Sequence, residues 1–294
     1  MYQSKLRALS LVKHFLIYSL LVSALILTLL PLLWSIAASF TPNDLIYKYA
    51  MPFSLRALWP VNFTLENYRV VLFPKKALEP VGEAYVLTGL VNSLMLSVIR
   101  VIGGTVVASM AAFAIAKMRF IGRRFFFIFL LLPLMMPVQA IIIPGYILAS
   151  TLNLLNTYWV LILPGLADAM VIFLLTQFFA EFPQELIDAA RMDGASWFQI
   201  LTKLIMPISK PALITAGLLL FLSQWNDFFW PLLVASSSHL RLITVAIAFL
   251  NYGRTFYWSR VFAGSMLAAI VPILLFLPLQ RYYIAGLVKG SLKG

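Results

Sequence analysis

The chain has no cysteine among its 294 residues, which excludes a disulfide framework, a thiol nucleophile and any zinc or iron–sulfur site built from cysteine. Histidine is nearly as scarce, with only His14 and His239 far apart in sequence, so no histidine pair at metal-ligand spacing exists. No Gly-Lys dipeptide occurs, and without it a Walker A phosphate loop cannot be built. Charge is also sparse: 11% of residues are charged, against about a quarter in a soluble domain. Acids number 10 and bases 22. What fills the space is apolar, at 62% hydrophobic residues where a soluble domain carries about half. The composition is that of a protein solvated by lipid.

A bilayer span needs roughly 20 mainly apolar residues. Six runs qualify: His14 to Phe40, Leu87 to Ala116, Phe125 to Leu148, Tyr158 to Phe179, Pro211 to Leu233 and Phe262 to Tyr282. The first follows Lys5, Arg7 and Lys13 in the manner of a secretory signal, and Ala37, Ala38 and Ser39 offer a cleavage site, but its length favours an uncleaved span. The fold class expected is therefore an all-α polytopic membrane protein with six transmembrane helices. Residues 1–13 form an N-terminal segment, 14–282 the spanning domain with a structured loop at 180–210, and 283–294 a tail. Orientation follows from the cations. With both termini inside, the inner segments hold 13 Lys and Arg and the much longer outer segments 8, and Lys117, Arg119, Arg123 and Arg124 crowd one short inner loop.

Within the runs, Gly104, Ala108, Ala112 and Ala116 form a stripe of small residues that lets helices approach closely, and Gly264 and Ala268 repeat the pattern. Pro133, Pro137 and Pro144 predict a kinked or interrupted third span. The outer segment from Thr41 to Val86 reads as an irregular loop with at most short helices. Its Asn62-Phe63-Thr64 triplet matches a glycosylation acceptor only weakly.

Polar groups at membrane depth are costly, about 3 kcal/mol for a mid-span Arg or Asp. Arg100 and Asp168 lie at comparable depth on spans two and four. They can pair across helices, or Arg100 can face a pathway and meet hydroxyls or a carboxylate. Gln224, Trp225, Asn226, Asp227 and Trp230 cluster in span five; aromatic faces with amide and carboxylate groups suit a carbohydrate path or gate, and equally an interfacial belt with packing groups. Arg241, Arg254 and Arg260 give the last outer segment a local positive surplus, fit either for an anionic oligosaccharide or for an acidic patch on a partner protein.

The inner loop between spans four and five, Glu181 to Pro207, carries the densest local signals. Pro183 suits a first helical position, Glu185 and Asp188 the positive end of that helix, and Gly194 a left-handed stop. Ser196 with Gln199 three residues on forms a capping box, Ile200, Leu201, Leu204 and Ile205 an apolar stripe, and Pro207 an end. A DNA-binding helix-turn-helix has a similar shape, but Glu181, Glu185, Asp188 and Asp193 against Arg191, Lys203 and the following Lys210 leave a net negative charge that repels phosphate. A surface-lying amphipathic connector prefers a basic polar face, which is missing. Docking onto a soluble partner fits best.

The same residues resemble a known family. Asp188-Ala-Ala, Gly194 four residues after Ala190 and Pro207 thirteen residues further resemble the EAA loop of permease subunits of bacterial ABC importers. The segments Ala114–Gly122, Trp225–Pro231 and Gln280–Gly290 extend the resemblance to the carbohydrate-uptake class, and within it to the smaller, maltose-type second permease. One departure is Asp188, where the motif commonly has Glu. The resemblance implies a type I importer permease in the bacterial inner membrane, whose coupling helix, with Glu185, Asp188, Ala189, Ala190, Asp193, Gly194 and Pro207, sits in a cleft of an ATPase subunit. It implies a second permease as heterodimeric partner, two ATPase subunits holding ATP and Mg2+, an extracytoplasmic solute-binding protein, and a sugar or oligosaccharide as cargo. No cofactor is expected in this chain and no nucleic acid. The tail, with Lys289, Gly290 and Lys293, is implied as a further contact with the ATPase or acts as a positive-inside anchor. The alternative is a proton-coupled secondary transporter using Asp168 or Asp227 as carrier; a membrane-embedded enzyme lacks any visible nucleophile–base pair.

Overall fold

The computed structural model describes residues 2–50, 52, 54–74, 86–251 and 256–291, with side chains between 13 and 281. Among the described residues every regular element is helical. In lipid each backbone polar group must find its partner within the segment, which a helix alone achieves without closing a barrel. Four helices are long and apolar enough to cross a membrane: Lys13–Ser39, Val86–Lys117, Tyr158–Ala180 and Trp258–Arg281. Two bent pairs raise the number to as many as six.

The chain divides into two compact units, residues 1–82 with 249–267 and residues 83–248 with 268–294. In the first, α1 (Tyr2–Ser39) is followed by two short helices, α2 (Asn43–Ala50) and α3 (Glu66–Leu72). Between Thr41 and Pro74 short helices alternate with irregular backbone, as the composition predicts, and Asn67 ties them to the end of α1: it is buried and its amide donates to the carbonyls of Ser39 (2.9 Å) and Thr41 (3.0 Å). Phe40 stacks on Phe63 at 5.0 Å, and the Ser39 and Tyr68 hydroxyls share a 2.8 Å hydrogen bond. Along α1 itself, every described side chain from Lys13 to Leu33 is exposed.

The second unit is built around α4 (Val86–Lys117). The small-residue stripe faces inward: Ala108 and Ala112 are fully buried against Val171 and Leu175 of α8 (Ala169–Ala180) and Ala212, Ala216 and Leu220 of α11 (Lys210–Trp225). Lipid tails are as apolar as leucine, so this packing is held by close van der Waals contact rather than by water exclusion. At Gly104 a Cβ would stand 3.0 Å from a Leu220 methyl.

Three spans are broken. The third consists of α5 (Arg123–Met135) and α6 (Val138–Thr151), bent by 105° at Met136 and Pro137; Pro137 is extended, with φ −65° and ψ 132°, and lacks the N–H that would continue the helix. The fourth is α7 (Tyr158–Leu166) followed by α8, with Ala167 and Asp168 between. The fifth departs from the expected Pro211 to Leu233 run. α11 ends at Trp225, three residues follow, and α12 (Phe229–Val234) resumes. A 16-residue helix is about 24 Å long, short of a hydrocarbon core of about 30 Å. At its other end α11 turns by 88° from the preceding helix, α10 (Trp197–Ile208).

Candidate functional site

Two places gather the polar residues singled out in the sequence. The first is the hairpin of α9 (Gln184–Met192) and α10. α9 starts one residue later than Pro183 suggests; Pro183 is the extended N-cap, with ψ 133°. The helix stops in a Schellman arrangement. Ala195 N–H donates to the Ala190 carbonyl and Gly194 N–H to that of Arg191, both at 3.0 Å, while Gly194 takes φ +83°. A Cβ on Gly194 would meet nothing within 4 Å, so the glycine answers to backbone conformation and not to crowding by its own chain. α10 then opens with both bonds of the capping box: Gln199 N–H to Ser196 Oγ at 3.2 Å and Ser196 N–H to Gln199 Oε1 at 2.8 Å.

From Ile200 to Ile205 the helix widens into a π turn before running through Pro207 to Ile208. Pro207 therefore does not end α10 as its sequence position suggests. It lacks an N–H and its ring would crowd the carbonyl four residues back, and the wider turn upstream relieves both. The stop falls at Ser209.

One face of the hairpin is anchored. Ile187, Ile200 and Ile205 are at most 1% exposed and join the core of α4, α8 and α11. Arg191 donates to the Ala195 carbonyl at 2.9 Å and lies over the Trp197 ring, which meets Phe113 of α4 edge-on at 6.1 Å. The other face is open: Leu186, Met192 and Phe198 are 47%, 88% and 65% exposed, beside exposed Glu185, Asp188, Ala189, Asp193 and Gly194. Asp188 accepts a bond from Gln184 Nε2 at 3.1 Å, and Ala190 is half-buried. The result is a rigid apolar knob with acids along it.

The second place lies midway along α4. Arg100 is buried and makes three bonds: Nε to the Gly165 carbonyl at 3.1 Å, Nη1 to Gln224 Oε1 at 3.3 Å and Nη2 to Asp168 Oδ2 at 3.2 Å. The sequence anticipates the pair with Asp168; it does not anticipate what the pair seals. Gly165 stands at the end of α7, where carbonyls lose their helical partners, and Arg100 supplies one. Asp168 caps α8 with its other oxygen, accepting Val171 N–H at 3.1 Å. A Cβ at Gly165 would come within 2.7 Å of the guanidinium, so glycine is needed there. Gln224 is 1% exposed, and its Nε2 has no hydrogen-bond partner among the described residues.

The remaining span-five residues are tied into helix packing. Trp225 Nε1 donates to the Ala268 carbonyl at 3.1 Å and Trp230 Nε1 to that of Val160 at 2.8 Å. Asn226 bonds back to the Leu222 carbonyl, and Asp227, half-buried, receives Thr244 Oγ1 on its own carbonyl. Of the arginines between span five and span six, Arg241 is buried and Arg260 lies over the Tyr257 ring at 4.1 Å; Arg254 and Lys293 fall outside the described residues, and at Lys289 and Gly290 only the backbone is described. Sequence reasoning missed Lys117 as anything beyond an orientation charge, although it is buried at 8% exposure.

An apolar helical bundle with broken spans and a capped hairpin at one end defines a multi-pass transport protein. The chain belongs to the family described as binding-protein-dependent transport system inner membrane component, whose model matches residues 104–283. It is 33% identical to the arabinooligosaccharides transport system permease protein AraQ of Halalkalibacterium halodurans, covering 90% of this chain and 91% of that one. It is 32% identical to the sn-glycerol-3-phosphate transport system permease protein UgpE of Brucella melitensis, over 92% and 94%. The fold matches a crystal structure of a bacterial ABC transporter involved in the import of the acidic polysaccharide alginate, with a TM-score of 0.76 at 23% identity, over 92% of this chain and 96% of that chain.

Proposed function

We propose that this chain is one of two permease subunits of an ATP-driven, binding-protein-dependent importer of a sugar or oligosaccharide. The observation that carries the reading is the hairpin, anchored by Ile187, Ile200 and Ile205 and presenting Leu186, Met192 and Phe198 outward. Exposed apolar groups on a rigid support are what a partner's groove recognises. Both termini lie in the cytoplasm, as the positive-inside balance requires, and the hairpin faces an ATPase there. Glu185, Asp188, Ala189, Asp193 and Gly194 line the contact, Ala190 and Pro207 shape it, and the tail with Lys289, Gly290 and Lys293 adds a second one. ATP and Mg2+ bind the ATPase subunits, since this chain has no phosphate loop.

The mechanism follows from how the hairpin is held. When ATP closes the ATPase pair, the knob is drawn along. Because its buried face is continuous with α4, α8 and α11, the displacement passes to the spans and opens the passage between the two permeases outward, toward the solute-binding protein. Hydrolysis resets it. The Arg100–Asp168–Gln224 cluster holds the break in span four through this motion. Support for a carbohydrate or related polyol cargo comes from what similar proteins are named for: arabinooligosaccharides and sn-glycerol 3-phosphate among the relatives, and the acidic polysaccharide alginate for the structural match.

Copurification followed by uptake in proteoliposomes tests this. An ATPase, a second permease and a binding protein should accompany the chain. Uptake of arabino-oligosaccharide, sn-glycerol 3-phosphate or oligoalginate should require ATP. Transport by the lone chain driven by a proton gradient would establish the secondary transporter instead.

A further inference from the structure

Four cations crowd the short stretch after span two, and they are not alike. Arg119, Arg123 and Arg124 are exposed, as charges that merely fix orientation should be, whereas Lys117 is buried. A buried ammonium needs partners to offset its lost hydration. Among the described residues no carboxylate stands within ion-pair distance of it; the charges it feels are Arg123 and, on α9, Glu185. Its partners are backbone. Lys117 Nζ donates to the Ala180 carbonyl at 3.2 Å and to the Phe182 carbonyl at 2.5 Å.

Those two oxygens occupy a particular place. Ala180 is the last residue of α8, where unpaired carbonyls carry the helix's partial negative charge. Phe182 precedes Pro183, whose ring fixes the backbone leading directly into α9 at Gln184. Phe182 also packs on Phe178 and against the main core. Thus the end of α4 grips the single joint through which α8 delivers the hairpin. The remaining contacts between α4 and the hairpin, the core shared by Ile187, Ile200 and Ile205 with Ala112 and Ala116 and the edge-on contact of Phe113 with Trp197, are apolar and non-directional. Two hydrogen bonds from one ammonium are directional and cannot slide without breaking.

We propose that Lys117 is a positioning residue that makes span two and the coupling hairpin one mechanical unit, so that displacement of the hairpin moves α4 with it. This rests on the coupling role proposed above and adds the particular side chain that conveys the motion to span two. The alternative, a simple cap on α8, would stabilise the fold without affecting how hairpin and span move together.

The test uses the assembled transporter in lipid nanodiscs. The chain has no native cysteine, so spin labels go cleanly onto Met110→Cys on the exposed side of α4 and Lys203→Cys on the exposed side of α10. Their separation is read by pulsed electron resonance without nucleotide and with ATP and vanadate. With Lys117 intact, one narrow distance should persist in both states. Lys117→Met, which keeps the stem and loses the donors, should give a distance that shifts or splits with nucleotide while ATPase subunits still copurify, and Lys117→Arg should restore the single distance. If Lys117→Met does not insert, Lys117→Leu, which also lacks a donor, is read in its place. A nucleotide-independent distance in the donor-less variant overturns the proposal and leaves the coupling role standing. Failure of the otherwise unaltered chain to retain any ATPase removes the coupling role and the proposal together.

Discussion

Gly194 separates two sources of constraint that usually act together. Its φ of +83° costs an ordinary L-residue about 1–2 kcal/mol. Asparagine adopts this region more readily, and Asn62, Asn153 and Asn156 do so in this same chain at φ +54°, +54° and +57°. Space is not limiting within the chain, since a Cβ at 194 meets nothing within 4 Å. The hairpin is held by Ile187, Ile200 and Ile205, each contributing roughly 1.5–3 kcal/mol by burial, so a strain of about 1–2 kcal/mol does not undo it. Gly194→Ala should therefore lower thermal stability slightly and leave ATPase stimulation largely intact. Gly194→Asn should leave stability nearly unchanged yet reduce ATPase stimulation and uptake. Gly194→Trp should abolish both with insertion preserved, because the residue is exposed with open space at its Cβ and a bulky side chain there stands in the path of the partner. The assay is binding-protein-stimulated ATP hydrolysis in proteoliposomes beside a melting curve of the purified chain. Wild-type stimulation by the Asn and Trp variants would refute the reasoning.

Asp168→Ala leaves Arg100 buried without its counter-ion and removes the α8 cap, at a cost of about 3–5 kcal/mol; adding Arg100→Met should recover part of that loss, and a denaturation cycle of the two single variants and the double checks it. Trp225→Phe forfeits the bond to the Ala268 carbonyl, about 1 kcal/mol, and should lower melting temperature without changing the KM for arabino-oligosaccharide; a raised KM would place the indole on the sugar's path. Ala112→Leu forces side-chain volume into a fully buried position between α4, α8 and α11. Overpacking of this kind costs about 1–3 kcal/mol, read as reduced monodisperse protein after extraction.

Much of this architecture was legible in the residues because its signals are local. The hairpin's Gly194 stop and the Ser196–Gln199 box are decided within a few positions, and both form as expected. Spans one, two and six follow from long apolar runs, the second carrying the single charge Arg100. The broken spans were less legible. Pro137 marked an interruption but not a turn of 105°, and the apolar run to Leu233 hid the end of α11 at Trp225, since hydropathy averages over the three residues that break it. Lys117 was illegible for another reason. A lysine at the inner end of a span satisfies the positive-inside rule wherever its side chain points, and its acceptors lie 63 and 65 residues away. The same holds for Gly165, whose need to be glycine comes from Arg100 on a different helix.

The central claim is that the exposed face of the α9–α10 hairpin is covered by an ATPase. With no native cysteine to interfere, Met192→Cys, at 88% exposure in the isolated chain, can be probed in the assembled transporter. Protection from a water-soluble maleimide is expected, and a short bifunctional maleimide should join Met192→Cys to a cysteine introduced on a subunit that binds ATP. Full maleimide reactivity at Met192→Cys in a complex that still transports would contradict it.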